Sequence, residues 1–367
     1  MSLSVPGRRR ASASPVRPVS PTPVSRWLAA VCGLSALAAP LSAQACATCG
    51  CSLSTDAAMG YSAASGWRIN LQTDYINQSQ LRSGTRSVSA AQVASLNPAA
   101  GQEVEHDTIN RYTTLGLSYS PNADWSVNLQ VPYIDRSHST YGAATPDQLT
   151  ADNLSSATLR GLGDIKLIGS YQGLLPSHNL GVQLGVKLPT GRYGGPNADG
   201  TGTVGRNPIA FSSGPSAGQL VDTSLQPGTG STDLIAWAYY YQAISQDFDG
   251  FVNGQFLAAV AHRLDAPGAD YRPGNLASLS FGVRYEAHPD WVPQLQVNLT
   301  HKSHDQGALA DTADTAGTVA YLSPGLSVTV AKGWQAYGFV QLPIYSQLDG
   351  VQLFPHWTAS LGISTAF

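Results

Sequence analysis

From Gly66 onward apolar and polar residues alternate along the chain in runs of about a dozen positions. In WRINLQTDY, Trp67, Ile69, Leu71 and Tyr75 share one phase while Arg68, Asn70, Gln72 and Asp74 share the other. WSVNLQVPY sets Trp125, Val127, Leu129, Val131 and Tyr133 against Ser126, Asn128 and Gln130. NLGVQLGVKLP sets Leu180, Val182, Leu184, Val186 and Leu188 against Gly181, Gln183, Gly185 and Lys187. A period of two belongs to a strand whose two faces meet different surroundings. Such segments are predicted near 66–78, 108–120, 124–134, 159–172, 178–190, 231–245, 249–262, 275–287, 291–302, 316–331, 333–345 and 354–367. Each can supply the ~9–11 residues with which a tilted strand crosses a bilayer. LSPGLS, around Pro324, interrupts the alternation, and a bulge is expected there.

The connections alternate between short and long. Short ones are PNAD (121–124), LLPSHN (174–179), SQDFDG (245–250), AHPD (287–290) and AKG (331–333). Long ones cover 79–107, 135–158, 190–230, 263–274, 303–315 and 346–353. Short turns at one end, long loops at the other and aromatics near strand ends mark a membrane barrel, not a soluble sandwich. In lipid every backbone N–H and C=O must be paired within the chain, so an even number of strands closed on itself is the consistent arrangement. The expected fold is all-β, an antiparallel transmembrane β-barrel of about 12 strands, in the outer membrane of a Gram-negative bacterium. The loop 190–230 has no periodicity and is a candidate to fold inward as a constriction or plug.

Composition agrees with this picture. Charged residues make up 12% of the chain, about half the share usual in soluble domains, and no apolar run reaches the ~20 residues of a membrane helix. The longest lies in WLAAVCGLSALAAP, residues 27–40, after Arg8, Arg9, Arg10, Arg17 and Arg26 and before Ala43-Gln44-Ala45. Those are the three parts of an export signal. The expected organisation is therefore a signal with an extended N-region (1–45), a cysteine-containing periplasmic segment (46–65) and the barrel (66–367). Cleavage after Ala45 would leave 15 basic against 23 acidic residues, a net charge of −8. That excludes nucleic acid as an expected partner.

Two motifs sharpen the reading. GLGDIKLIGSYQ carries Gly161, Gly163 and Asp164, and GVQLGVKLPTG carries Pro189 and Gly191. Together they resemble the transporter-like family named for the meta-pathway of phenol degradation, over the fourth and fifth predicted strands. The resemblance implies a channel that passes small solutes, hydrophobic or aromatic ones among them, by passive diffusion. ASLGISTAF, ending in Phe367, looks like the strand signal read by the barrel-assembly machinery.

With the apolar face toward lipid, the polar face lines the lumen. It carries Arg68, Asn70, Gln72, Asp74, Asn128, Gln130, Lys166, Gln183, Lys187, Arg284, Gln296 and Gln335. Amides outnumber charges, and no ring of one sign points to strong ion selectivity. Asp164 and Lys187 lie on adjacent predicted strands and are placed to pair. The expected partners are membrane lipids and a small-molecule solute.

Two other chemistries compete. His301-x-Ser303, followed by Asp305, shares the phase of Leu295, Val297 and Leu299 and so faces lipid, as in outer-membrane lipid hydrolases. A serine nucleophile needs a base within reach and a group to orient that base, and the Ser-Asn-Gly continuation of the phospholipases is missing. A non-enzyme is expected. Cys46, Cys49 and Cys51 would open the exported chain, and Gly50 after C-x-x-C excludes the usual haem attachment. Three readings stay open: a periplasmic disulfide with one odd thiol, a copper or zinc site lacking a fourth ligand, and a lipid anchor on Cys46. No other cofactor is expected. The alternatives to a channel are a closed barrel that scaffolds a periplasmic protein through these cysteines, and a lipid-hydrolysing enzyme.

Overall fold

The computed structural model describes residues 65–96 and 102–367. The expected export signal, the cysteine segment except Ser65, and Cys46, Cys49 and Cys51 lie outside the described residues. In chain order the strands are β1 (Gly66–Gly84), β2 (Arg86–Ser87), β3 (Glu105–Ser120), β4 (Trp125–Thr140), β5 (Ser155–Leu162), β6 (Ile165–Tyr171), β7 (Leu180–Leu188), β8 (Tyr193–Pro196) and β9 (Thr203–Arg206). There follow β10 (Ser231–Ala243), β11 (Phe248–His262), β12 (Leu276–Tyr285), β13 (Trp291–Lys302), β14 (Gly317–Ala331) and β15 (Trp334–Ala366). One short helix, α1 (Ala90–Leu96), separates β2 from β3.

Eleven of these elements form a closed antiparallel ring, β1-β3-β4-β6-β7-β10-β11-β12-β13-β14-β15 and back to β1. β5 extends the line of β6, pairing with β4 beyond a break at Gly163 and Asp164. β15 contributes twice: its first half pairs with β14, it turns at Gly350 (φ 61°), and its second half pairs with β1. The ring thus has twelve antiparallel passes. At its seam, Trp67 and Phe367 exchange backbone hydrogen bonds of 2.9 Å in both directions.

Two expectations are corrected. Residues 346–353, expected as a loop, are strand on both sides of the Gly350 turn. The bulge expected at Pro324 is absent, because the β13–β14 register runs through Pro324 without a shift. Pro324 faces outward, and Gly325 takes the inward position beneath the ring of Phe339. β14 is irregular instead between Ala320 and Tyr321 and between Thr329 and Ala331.

The apolar phase faces outward, with Leu184 71% and Leu361 66% exposed, while Asn70, Gln72 and Asp74 of the other phase are buried. Aromatic pairs mark the short-turn end: Trp67 with Tyr119, Trp125 with Tyr171, and Phe248 with Tyr285. Tyr75 and Trp357 pair nearer the long-loop end. From Trp67 to Tyr75 is about 27 Å along a strand, or about 20 Å along the membrane normal at a tilt of about 40°, close to the ~25 Å apolar band of such barrels.

Inside, aromatics lean over glycines on neighbouring passes. A Cβ on Gly362 would lie 2.2 Å from Tyr337 Cζ, and the Tyr337 hydroxyl lies 2.8 Å from Gln72 Oε1. Gly362→Ala is therefore expected to push this ring off its partners and destabilise the barrel by about 1–3 kcal/mol, as overpacking does. Urea unfolding of the detergent-folded protein, followed by tryptophan fluorescence, would show a lowered midpoint; an unchanged one would mean that the ring has room to move.

Candidate functional site

The inward phases of the strands enclose a cavity of about 180 Å³, smaller than the ~300–1,000 Å³ of drug-sized sites. It lies toward the short-turn end, since Arg68 near the start of β1, Ser126 near the start of β4 and Ser170 near the end of β6 all line it. Eight predicted lumen residues line this cavity: Arg68, Asn70, Gln72, Asn128, Gln130, Lys166, Gln183 and Gln296. Asp74 is buried beside it, its carboxylate accepting from Gln72 Nε2 (2.9 Å) and Ser360 Oγ (2.5 Å). Arg284 pairs with Glu286 at 3.0 Å after β12, and Gln335 is exposed at the start of β15. The lining also takes Thr114, Ser118, Ser278, Ser280 and Trp237, to which no motif pointed. The short hydroxyls could have been found by phase alone.

Above the cavity the two resemblance motifs meet. Lys187 Nζ lies 3.1 Å from Asp164 Oδ2 and 3.0 Å from Asp233 Oδ2, with all three side chains at most 8% exposed. The expected Asp164–Lys187 pair is therefore present, and Asp233 of β10 completes it. Asp164 also accepts the backbone N–H of Gly191 (3.0 Å) and of Thr229 (3.0 Å). One carboxylate in the β5–β6 break thus ties down both ends of the loop 190–230. Gly191 has no room for a side chain, because its Cβ would meet Gly228 Cα at 2.8 Å. Gly161 holds φ 152°, a backbone conformation that favours glycine. Thr190 Oγ1 donates to the Gly163 carbonyl at 3.0 Å and accepts from the Ile165 N–H at 2.9 Å. Pro189 lies just beyond the end of β7, where the chain leaves the sheet.

The loop that this latch holds folds inward. Ile209, Phe211, Val221 and Leu225 pack on Ala157 and Leu159, inward-facing residues of β5. Arg136, inward from β4, donates to the Leu225 carbonyl and, at 2.6 Å, to the Tyr112 hydroxyl. A second apolar cluster at the same end joins Val93 and Ala94 of α1 to Leu81, Val104 and Leu353. Acidic groups gather there too. Desolvation, reinforced by Asp314, pushes Asp311 up to about 7. Desolvation together with Glu103, Glu105 and Asp311 holds Asp222 well above the usual carboxylate range.

His301 and Ser303 do not form a dyad. His301 is exposed and its Nδ1 lies 2.9 Å from Thr318 Oγ1, while Ser303 Oγ accepts the Asn275 N–H at 2.8 Å. Asp305 is tied to Lys302 at 2.7 Å.

No family model and no curated protein matches the chain. Among solved structures it is similar to an outer-membrane channel from Pseudomonas putida F1, with 12% identity, a TM-score of 0.55, and 83% of this chain and 96% of that one covered. Weaker matches include the translocator domain of the autotransporter NalP from Neisseria meningitidis (9% identity, TM-score 0.46, covering 84% and 90%). Another is the CymD monoaromatic hydrocarbon channel (11%, 0.43, covering 86% and 93%). The likeness to the first is one of fold. With its apolar outer face and aromatic belts, the chain is an outer-membrane β-barrel of the Gram-negative type.

Lys187→Met would leave Asp164 and Asp233 buried without their cation, an expected loss of about 3–5 kcal/mol. Urea unfolding measures it, and Asp164→Asn/Lys187→Met should recover part of it. The acidic groups predict a pH effect on the loops. A carboxyl whose folded pKa is raised favours the folded arrangement below its unfolded pKa and loses that contribution as pH rises through the folded value. For Asp311 the window runs from 3.8 to about 7. Amide exchange of residues 307–316 and 220–226, corrected for intrinsic rates, should be slower at pH 5.5 than at pH 8.

Proposed function

We propose that the barrel is a passive outer-membrane channel for small solutes, with the inward-folded loop 190–230 setting the width of its outer mouth. The observation that carries this reading is the cavity: inside a closed barrel it is walled mainly by amides and hydroxyls. Such groups exchange hydrogen bonds with water or solute at a small net free-energy change. A purely aliphatic solute would desolvate them without replacing those bonds. Ile168, Pro132 and Trp237 are the large apolar residues on the wall, so an aromatic ring bearing polar groups fits better. The solutes are thus small, partly polar, and aromatic where they have a ring. The role is passage, not catalysis.

Lipid surrounds the apolar face, and the strand ending in Phe367, itself 70% exposed, is the proposed recognition element for the barrel-assembly machinery. Cys46, Cys49 and Cys51 are proposed to serve the periplasmic side, through a disulfide, a copper or zinc ion, or a docked periplasmic protein. Changing all three to serine should leave conductance as it is.

Planar-bilayer conductance of the folded barrel tests the channel. Discrete open steps are expected, and deletion of residues 209–221 should enlarge them severalfold. A silent membrane in both proteins, with folding shown by heat-modifiable gel mobility, would overturn the channel and favour the scaffold.

A further inference from the structure

We propose that the lumen selects small organic anions, with Lys166 and Arg68 as the groups that recognise a carboxylate. The inference rests on the channel reading above and adds the solute's charge to it.

The carboxylates and the cations of the lumen are treated differently by the fold. Each of the three inward carboxylates near the cavity is capped by donors. Asp74 takes Gln72 and Ser360, Asp164 takes Gly191, Thr229 and Lys187, and Asp233 takes Ser231 Oγ at 2.6 Å and Lys187. None of the three is on the cavity wall. Lys187 is likewise consumed between its two aspartates. Lys166 stands directly across from Lys187 in the β6–β7 register, a like-charge placement that is unfavourable unless compensated. With both aspartates in direct ion pairs with Lys187, the Lys166 side chain stands on the cavity wall without a hydrogen bond or ion pair to any described residue, and Asp233, Asp164 and Asp74 act on it only at longer range. Arg68, on the same wall, is in the same condition. The wall therefore carries two uncapped cations and no carboxylate.

The surrounding amides suit the remainder of such a solute. Asn128, Gln130 and Gln296 on the wall can each donate and accept, while Trp237 offers a ring face. Near the short-turn end, two carboxylates meet one cation, Asp249 standing opposite Arg284 in the β11–β12 register and Glu286 pairing with it, so the sign of selectivity reports which level of the lumen governs passage.

The test is the zero-current potential of the folded barrel in a KCl gradient, followed by block of the current with benzoate and with its uncharged relative benzamide. Chloride should be favoured over potassium about tenfold at low salt, the lower end of enrichment in a cleft lined by one sign of charge. The preference should shrink toward 1 M KCl, where the screening length falls to about 3 Å. Benzoate should block and benzamide should not. Lys166→Gln and, separately, Arg68→Gln should each reduce both the preference and the block while open steps persist, so one variant that fails to fold leaves the other to decide. Open steps with a potassium preference, or equal block by both compounds, would overturn the anion assignment and leave the channel standing. A membrane silent in wild type would overturn both.

Discussion

In a bilayer an unpaired backbone N–H or C=O has no water to turn to, and every other feature of this chain is arranged around that constraint. It is met by a ring of antiparallel ladders whose seam joins β1 to β15. Once the ring closes, the outer face can carry little beyond apolar side chains and interfacial aromatics, and the polar phase must go inward. A lumen rich in amides is therefore a consequence of the fold as much as of its use. What distinguishes this lumen is the few charges in it and how each is held.

Burying a cation with two carboxylates gains little in stability on its own, because desolvation offsets most of the attraction. The Lys187 cluster earns its place by position. Asp164 sits where β5 gives way to β6, and its two oxygens reach the backbone at Gly191 and Thr229. A loop of about forty residues is thereby held at both ends against the lumen wall, and its apolar residues find a surface on β5 that would otherwise face water. Electrostatics at the hinge and hydrophobic packing at the tip support each other.

The strands were legible because lipid and lumen impose opposite polarity at a spacing of two residues. Legibility failed where the lumen itself is apolar. On β10 the inward phase holds Ile235, Trp237 and Tyr239, while Leu234 and alanines face out, so hydrophobicity alone points the wrong way. Ser231 and Asp233 in the same phase are the clue. Pro324 misled for a related reason: a glycine at an inward position removes the polar marker without shifting the register. The Asp164–Lys187 pair could be read from adjacent strands, whereas Asp233, on the next predicted strand and directly opposite Lys187, was hidden because Ile235, Trp237 and Tyr239 make its phase look like the lipid face. The inward course of the loop 190–230 follows from packing on β5, which leaves no periodic trace in the sequence.

The seam between β1 and β15 bears on how the molecule comes to exist. Its two strands are separated by about 280 residues of chain, so its contacts are the least local in the structure, and loop closure of that span opposes them until the rest is formed. Until then the growing sheet has two bare edges, each a template for pairing with another chain. The slow step in biogenesis should therefore be joining the ends, and protection of those edges matters most just before the ring is complete.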